Sequence, residues 1–291
     1  MKKLRYLAEA ALLYLCFALF KLIGLEKSSA LGGWLGRMIG PRLAASRKAL
    51  KNIELAFPEK STQEHREILT QMWDNLGRVI AEYPHLKTMT DKNITYEGLE
   101  HITPPGTPII LIAGHIANWE VISAGINMEM DEKINSLYRA PNNPYVRRLL
   151  ERIRTEGSDV SNIPKSKSGV RDMVRVLQDG GKLGILIDQK YNQGIAVPFF
   201  GRPAMTSPAA VQLAQKFSCP IVPVSIRRMG GPHFKITVFP PLNIDNKSEY
   251  EALLAMHQFL EDRIKEHPGH WLWLHRRWDS AALKGQENEH V

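Results

Sequence analysis

The sequence predicts an α/β protein: a mixed, mainly parallel central sheet flanked by helices, with an apolar helix at its N-terminus. Two observations carry this. From Ile94 onward short apolar runs alternate with helical stretches, which is the signature of an α/β fold. Within that region Thr107 to Met130 reads as a buried strand, Ile109 to Ala113, broken at Gly114 and followed at once by a helix. With 291 residues, 44% of them hydrophobic, the chain can bury one large core. The simplest division is an N-terminal membrane anchor (1–25), a helical basic attachment (26–90), the main α/β domain (91–280) and a polar tail (281–291).

The first segment starts with Lys2, Lys3 and Arg5 and then runs from Ala10 to Phe20 with Tyr14 as its one polar break. As a helix that run is about 17 Å long, against a hydrocarbon core of about 30 Å, so spanning requires Arg5, Glu9 and Lys21 to lie near the boundaries. A retained anchor, a signal peptide cut near Ser28-Ser29-Ala30 and a core helix all compete here. Lys21 and Glu26-Lys27 interrupt the approach to the cleavage site, which favours the anchor. Arg37, Arg42, Arg47, Lys48 and Lys51 follow closely, favouring a domain held against the cytoplasmic membrane face.

Leu31 to Phe57 looks helical and basic, with Pro41 as a break. Ser61-Thr62-Gln63-Glu64 has the form of a capping box. Ile68, Met72, Leu76, Val79 and Ile80 then recur at helical spacing as far as Pro84. Strands are expected at Ile94–Glu97, Ile109–Ala113, Ile134–Tyr138, Leu183–Ile187, Ile221–Ile226 and Phe234–Phe239, with helices at about 116–130, 144–155, 168–179, 208–217 and 247–266. Val197 to Thr206 reads as an apolar loop, either core cover or the wall of an apolar channel. The aromatic and basic run Trp271 to Trp278 reads as docking on the core, lying at a lipid interface, or both.

Ligands in α/β folds gather beyond the carboxyl ends of the strands, and His115 sits at such a junction. His115 and Glu120 are too far out of phase to meet on one regular helix. They meet if His115 lies on the strand-to-helix turn, with Gly114 free to take an unusual conformation before it. A carboxylate on one imidazole nitrogen would leave the other to take a proton from a hydroxyl. The competing reading is a histidine at a strand end and a glutamate favoured by a helix N-terminus, and the spacing leaves both open. Arg139 ends a strand, where its guanidinium fork suits phosphate or carboxylate. Arg147, Arg148, Arg152 and Arg154 form a basic helix, and Asp188 shares the side of the sheet of His115 if the two strands are parallel.

The two cysteines do not have metal-ligand spacing, the ten histidines are scattered with no HExxH and no dense Cys/His cluster, and the chain has no Walker-type loop or GxGxxG. No metal and no cofactor is therefore expected. The net charge of +8 points to an anionic partner.

The run Gly114-His115-Ile116-Ala117-Asn118-Trp119-Glu120 resembles the GH-x-x-NWE signature of the lipid A late (lauroyl and myristoyl) acyltransferases of the lysophospholipid acyltransferase superfamily. Similar segments follow in the same order: Tyr138-Arg139 with Asn143-Pro144, Asp188-Gln189, Val197 to Gly201, Val222-Pro223-Val224, Pro240-Pro241-Leu242 and Trp271 to Trp278. Relatives commonly carry a second acid two positions after the Asp, where this chain has Lys190.

The resemblance implies a glycerolipid acyltransferase-like fold, with residues 91–280 as the catalytic domain and a bacterial inner-membrane location. It also implies transfer of a fatty acyl chain from acyl carrier protein to a hydroxyl of a phosphorylated glycolipid, most simply a lipid A precursor. His115 would be the general base and Glu120 its partner, with Asn118, Arg139, Arg152 and Asp188 on the substrate. The expected partners are acidic acyl carrier protein, the glycolipid and an anionic membrane surface. Other lipid acceptors, such as a phosphoinositol mannoside or an aminoacyl lipid, stay open, as does a non-catalytic basic membrane adaptor. Nucleic acid is not expected, because no recognition motif accompanies the charge.

Overall fold

The computed structural model describes residues 2–89, 92–130, 133–158, 161–164 and 166–278, so the tail expected at 281–291 lies outside the described residues. Four helices come first: α1 (Lys2–Ile23), α2 (Leu25–Ile39), α3 (Ala45–Ala56) and α4 (Thr62–Glu82). The α/β part runs β1 (Ile94–Glu97), β2 (Ile109–Ala113), α5 (Glu120–Met130), β3 (Ile134–Tyr138), α6 (Pro144–Ser158), β4 (Ser161–Pro164), α7 (Lys167–Gln178) and β5 (Lys182–Leu186). It continues with β6 (Ile195–Phe199), β7 (Arg202–Thr206), α8 (Ala209–Phe217), β8 (Ile221–Gly230), β9 (His233–Val238) and α9 (Glu249–Glu266).

Seven strands form one sheet in the order β1-β9-β8-β2-β5-β3-β4, parallel at every pairing except β8 with β9. The mixed, mainly parallel sheet is the one the sequence predicts. β2 lies at its centre between β8 and β5, and all five of its residues are buried. That is why its sequence, IILIA, is apolar at every position rather than alternating.

Local signals set the helix starts. The Ser61 hydroxyl accepts from the Glu64 backbone N–H and the Glu64 carboxylate accepts from the Ser61 N–H, closing the predicted capping box; Ser248 and Glu251 form a second one at α9. α2 and α4 cross at unusually short range because Gly36 and Gly77 lie at the crossing. A Cβ on Gly36 would come within 2.0 Å of the Trp73 carbonyl, and one on Gly77 within 2.1 Å of the Gly32 carbonyl.

α1 lies against α2 and α6. The Asn143 amide donates to the Tyr6 carbonyl (2.8 Å) and the Glu9 carboxylate (3.1 Å), and Phe17 stacks on Tyr83. Its other side exposes Leu4, Leu12, Leu15, Leu19 and Leu22. By length and composition α1 is able to cross a membrane.

One expectation changes. Val197 to Thr206 is no loop: β6 and β7 form a hairpin closed by Phe200 (φ 49°) and Gly201 (φ 68°), a two-residue turn with both residues left-handed. Phe199 is fully buried against Trp271, Trp278 and His257, so the hairpin covers the core. The segment from Trp271 to Trp278 docks on the core, one of the readings its sequence allows, with Trp271, Trp273, Arg277 and Trp278 all buried. β4 went unpredicted because Ser-Asn-Ile-Pro is a short edge strand with one buried side chain.

Candidate active site

β2 and β5 run parallel, so the residues following each emerge side by side at the same end of the sheet. Beyond β2 stands His115, and beyond β5 stand Asp188 and Gln189. The His115 Nδ1 lies 2.7 Å from the Asp188 Oδ1. A carboxylate only accepts, so Nδ1 carries a proton, and in the neutral ring Nε2 is the nitrogen left to accept one. The other Asp188 oxygen accepts from the His115 backbone N–H and from the Trp271 indole N–H, each at 2.7 Å. Burial alone would raise the pKa of this fully enclosed carboxyl; the facing imidazole and these hydrogen bonds outweigh it and hold Asp188 well below the ordinary carboxylate range.

The turn that presents His115 is fixed from outside its own element. The left-handed residue is Ala117 (φ 48°) and not Gly114 as the sequence led us to expect. At Gly114 the close neighbour is Leu260, whose Cδ2 would stand 3.0 Å from a Cβ placed there, with the Asp188 Oδ2 at an ordinary 3.4 Å. Ala117 donates its N–H to the His270 carbonyl (2.9 Å), and its carbonyl accepts from the Asn75 amide (2.9 Å). The Leu272 N–H donates to the His115 carbonyl (3.0 Å), so the C-terminal segment is stitched along the turn that carries His115.

Glu120 does not meet His115. It opens α5 and accepts from Arg154 of α6, with the Arg154 Nε 2.8 Å from its Oε2 and Nη2 bonded to its Oε1, and from the Trp119 indole (3.1 Å). The reason is topological: parallel pairing of β2 with β5 brings Asp188 to the imidazole from across the sheet, which leaves Glu120 facing the buried guanidinium. Arg154 also lies over the Tyr138 ring at 4.1 Å. Burial pushes the Tyr138 hydroxyl up to about 12.

The imidazole, 12% exposed, borders a cleft of about 310 Å³ whose wall includes Tyr83, Trp119, Glu120, Arg139, Arg154, Gln189 and His275. The Gln189 amide nitrogen lies 3.4 Å from the His115 Nε2, and the His275 ring is 5.2 Å from that of His115. Burial, then the neighbouring His115, holds the His275 pKa below its ordinary value. From Trp119, Glu120 and Arg154 an apolar slot of about 70 Å³ leads inward between α5 and the sheet, past Ile122, Leu137 and Gly184.

Of the expected substrate residues, Arg139 is exposed on the cleft wall. Arg152 is exposed on α6 and is not among the residues lining the cleft. Asn118 is fully buried and donates to the Glu82 carboxylate (2.8 Å), which makes it a structural tie rather than a substrate contact. Asp188 serves the imidazole, out of reach of a ligand. Among the described residues no group of three or more His, Cys, Asp or Glu side chains is placed to hold a metal ion.

This site sits in a chain whose residues 1–280 match the profile of the bacterial lipid A biosynthesis acyltransferases. The chain belongs to that family. The lipid A biosynthesis palmitoleoyltransferase of Escherichia coli is 23% identical over 87% of this chain and 85% of its own length. The lipid A biosynthesis lauroyltransferase of the same organism is 26% identical over 78% and 77%, and a lipid A biosynthesis acyltransferase of Haemophilus influenzae 25% over 84% and 81%. The 1-acyl-sn-glycerophosphate acyltransferase structure from Thermotoga maritima aligns over 92% of this chain and 99% of its own at TM-score 0.39 and 14% identity, too remote to add to the site.

For this acyltransferase, reading the sequence missed two residues of the cleft wall, Arg154 and Tyr83, and gave Asp188 to the substrate rather than to His115. Arg154 is one arginine among four on α6, and only the fold shows that it turns inward to Glu120. Tyr83 follows the last residue of α4, a helix from which no chemistry was expected, yet it lines the cleft. Asp188 did carry a usable signal: an acid at the end of a strand predicted to run parallel to β2 is a candidate partner for His115.

Proposed function

We propose that this protein transfers a fatty acyl chain from the thioester of acyl carrier protein to a hydroxyl of a lipid A precursor, with His115 as general base and Asp188 as its positioning partner. The observation that carries this reading is an imidazole whose Nδ1–H is held by a buried, ionised carboxylate while Nε2 borders a cleft that continues into an apolar slot. Family membership supplies the reaction class.

In this reading the acyl chain of the donor enters the slot between α5 and the sheet, and the thioester carbonyl lies near the Glu120–Arg154 pair. The acceptor hydroxyl gives its proton to the His115 Nε2 as its oxygen attacks that carbonyl. The tetrahedral intermediate collapses as the C–S bond breaks. The imidazolium, stabilised by Asp188, returns the proton to the departing thiolate. The products are an ester and a free thiol, with no covalent enzyme intermediate and no cofactor. Arg139, at the exposed wall of the cleft, suits a phosphate of the acceptor. Glu120 keeps a role by holding Arg154 in place.

The apolar outer side of α1 and the basic residues that follow it fit attachment to the anionic cytoplasmic face of the inner membrane. Purified protein incubated with acyl carrier protein loaded with a fatty acid and a lipid A precursor should form the acylated product. His115→Ala should lower turnover about 10²- to 10⁴-fold without loss of fold. A folded His115→Ala protein that transfers acyl groups at a near-normal rate would refute the assignment.

A further inference from the structure

β5 separates two hollows. Beneath α5 lies the slot described above, reached past Gly184 and Leu186. On the other face, where α7 and α8 pack, lies a groove of about 160 Å³ lined by Leu137, Val170, Met173, Ile185, Ile187 and Tyr191. The groove is open rather than a packing defect, since Val170 is 52% exposed and Tyr191 38%. It also runs into the cleft beside His115: Leu137, Leu186 and Gln189 line both, and the Gln189 amide nitrogen lies 3.4 Å from the His115 Nε2.

We propose that this second groove holds an alkyl chain of the lipid acceptor, so that the acceptor and donor chains lie on opposite faces of β5 and meet at His115. The assignment rests on the reading that the protein moves an acyl group between two amphiphiles. The reaction brings a donor carbonyl and an acceptor oxygen to bonding distance at one imidazole. The slot beneath α5 gives the donor chain its apolar wall, and the groove on the other face of β5, sharing Leu186 with the slot and the cleft, gives the acceptor chain a separate one. Gln189, between the cleft and the groove, is then the residue that passes the acceptor hydroxyl to Nε2.

Val170→Trp fills the mouth of the groove at an exposed site, and Ala209→Phe narrows the same wall from α8. Each is assayed with acyl carrier protein donors of several chain lengths and with two acceptors, one bearing long alkyl chains and one with the same headgroup and chains of about four carbons. Displacing one or two methylenes should raise KM for the long-chain acceptor about tenfold, leaving the short-chain acceptor and the preferred donor length unchanged. An equal loss with both acceptors, a shift in donor length or no change at all overturns the proposal. A wild-type protein that acylates neither acceptor removes the acyl-transfer reading itself, and that result is distinct from a working wild type whose groove variants behave normally.

Discussion

Asp188→Asn separates the roles of the two carboxylates. In the native site the carboxylate accepts from three fixed donors, the ring Nδ1–H, the His115 backbone N–H and the Trp271 indole N–H. An amide of the same shape offers one accepting oxygen and one donating nitrogen. With the oxygen toward the ring, the NH2 group faces both other donors and leaves them buried without acceptors, at roughly 1–3 kcal/mol each. With the oxygen toward those two donors, the NH2 group faces Nδ1, which must then accept, and the ring proton moves to Nε2. The second arrangement wins by about 2–6 kcal/mol, so the tautomer able to act as a base falls roughly 30-fold to 10⁴-fold. Loss of the charge that stabilises the imidazolium adds to this. The expected result is a kcat lowered at least about 10²-fold with little change in donor KM, measured by product formation on a variant whose thermal unfolding shows it intact. Turnover within threefold of the wild type would sink the reasoning, because three donors on one buried carboxylate leave the amide no neutral orientation.

Two further outcomes follow from other parts of the molecule. Glu120→Gln and Arg154→Gln should each impair the enzyme, and the double variant should do less harm than the sum. Breaking a largely buried pair typically costs about 3–5 kcal/mol because it strands the remaining charge. Additive losses in that double-mutant cycle would show that Glu120 serves a different partner. His257 is enclosed beside Arg277, and burial, with the guanidinium adding to it, pushes its pKa down to about 3. Its unfolded value is about 6.5, so below that pH the unfolded chain binds a proton that the folded chain refuses. Stability should then fall as the pH drops from about 6.5 toward 3, by up to roughly 1.4 kcal/mol per unit from this group. Denaturant unfolding at stepped pH should lose about one proton of that dependence in His257→Gln; an unchanged slope would mean that the folded protein protonates His257 normally.

Much of the fold was legible because its signals are local. The apolar run of β2, the capping box at Ser61 and the periodic face of α4 each declare an element within a few residues, and the structure places them where the sequence does. The β6–β7 hairpin escaped because its turn uses Phe200 at a positive φ, a conformation that sequence rules reserve for Gly or Asn. The site was legible only in part. His115 stands out by its junction, but its partner lies across the sheet at Asp188, 73 residues away, and not along the helix at Glu120, five residues away. The strands expected around positions 109 and 183 run parallel, and that pairing brings Asp188 in. Asn118 failed as a substrate residue for the opposite reason: its motif position is real, but its amide points into the protein.

That inward direction explains why the N-terminal helices belong to the site. Glu82, at the end of α4, is fully buried, and its two oxygens accept from Ser29 of α2 (2.7 Å), Asn118 of the catalytic turn (2.8 Å) and Arg228 of β8. Arg228 reaches Asn75 (3.2 Å), which in turn holds the Ala117 carbonyl. One enclosed ion pair thus joins the helix that follows the apolar N-terminus, the central sheet and the strained residue two positions after His115. Ala117 in the left-handed region costs on the order of 1–2 kcal/mol, which its surroundings must offset. The offset comes from α4 and from the C-terminal segment around His270, both remote in sequence. The geometry of the base is therefore a property of the docked helical layer as much as of the sheet, and the same layer carries the apolar face of α1.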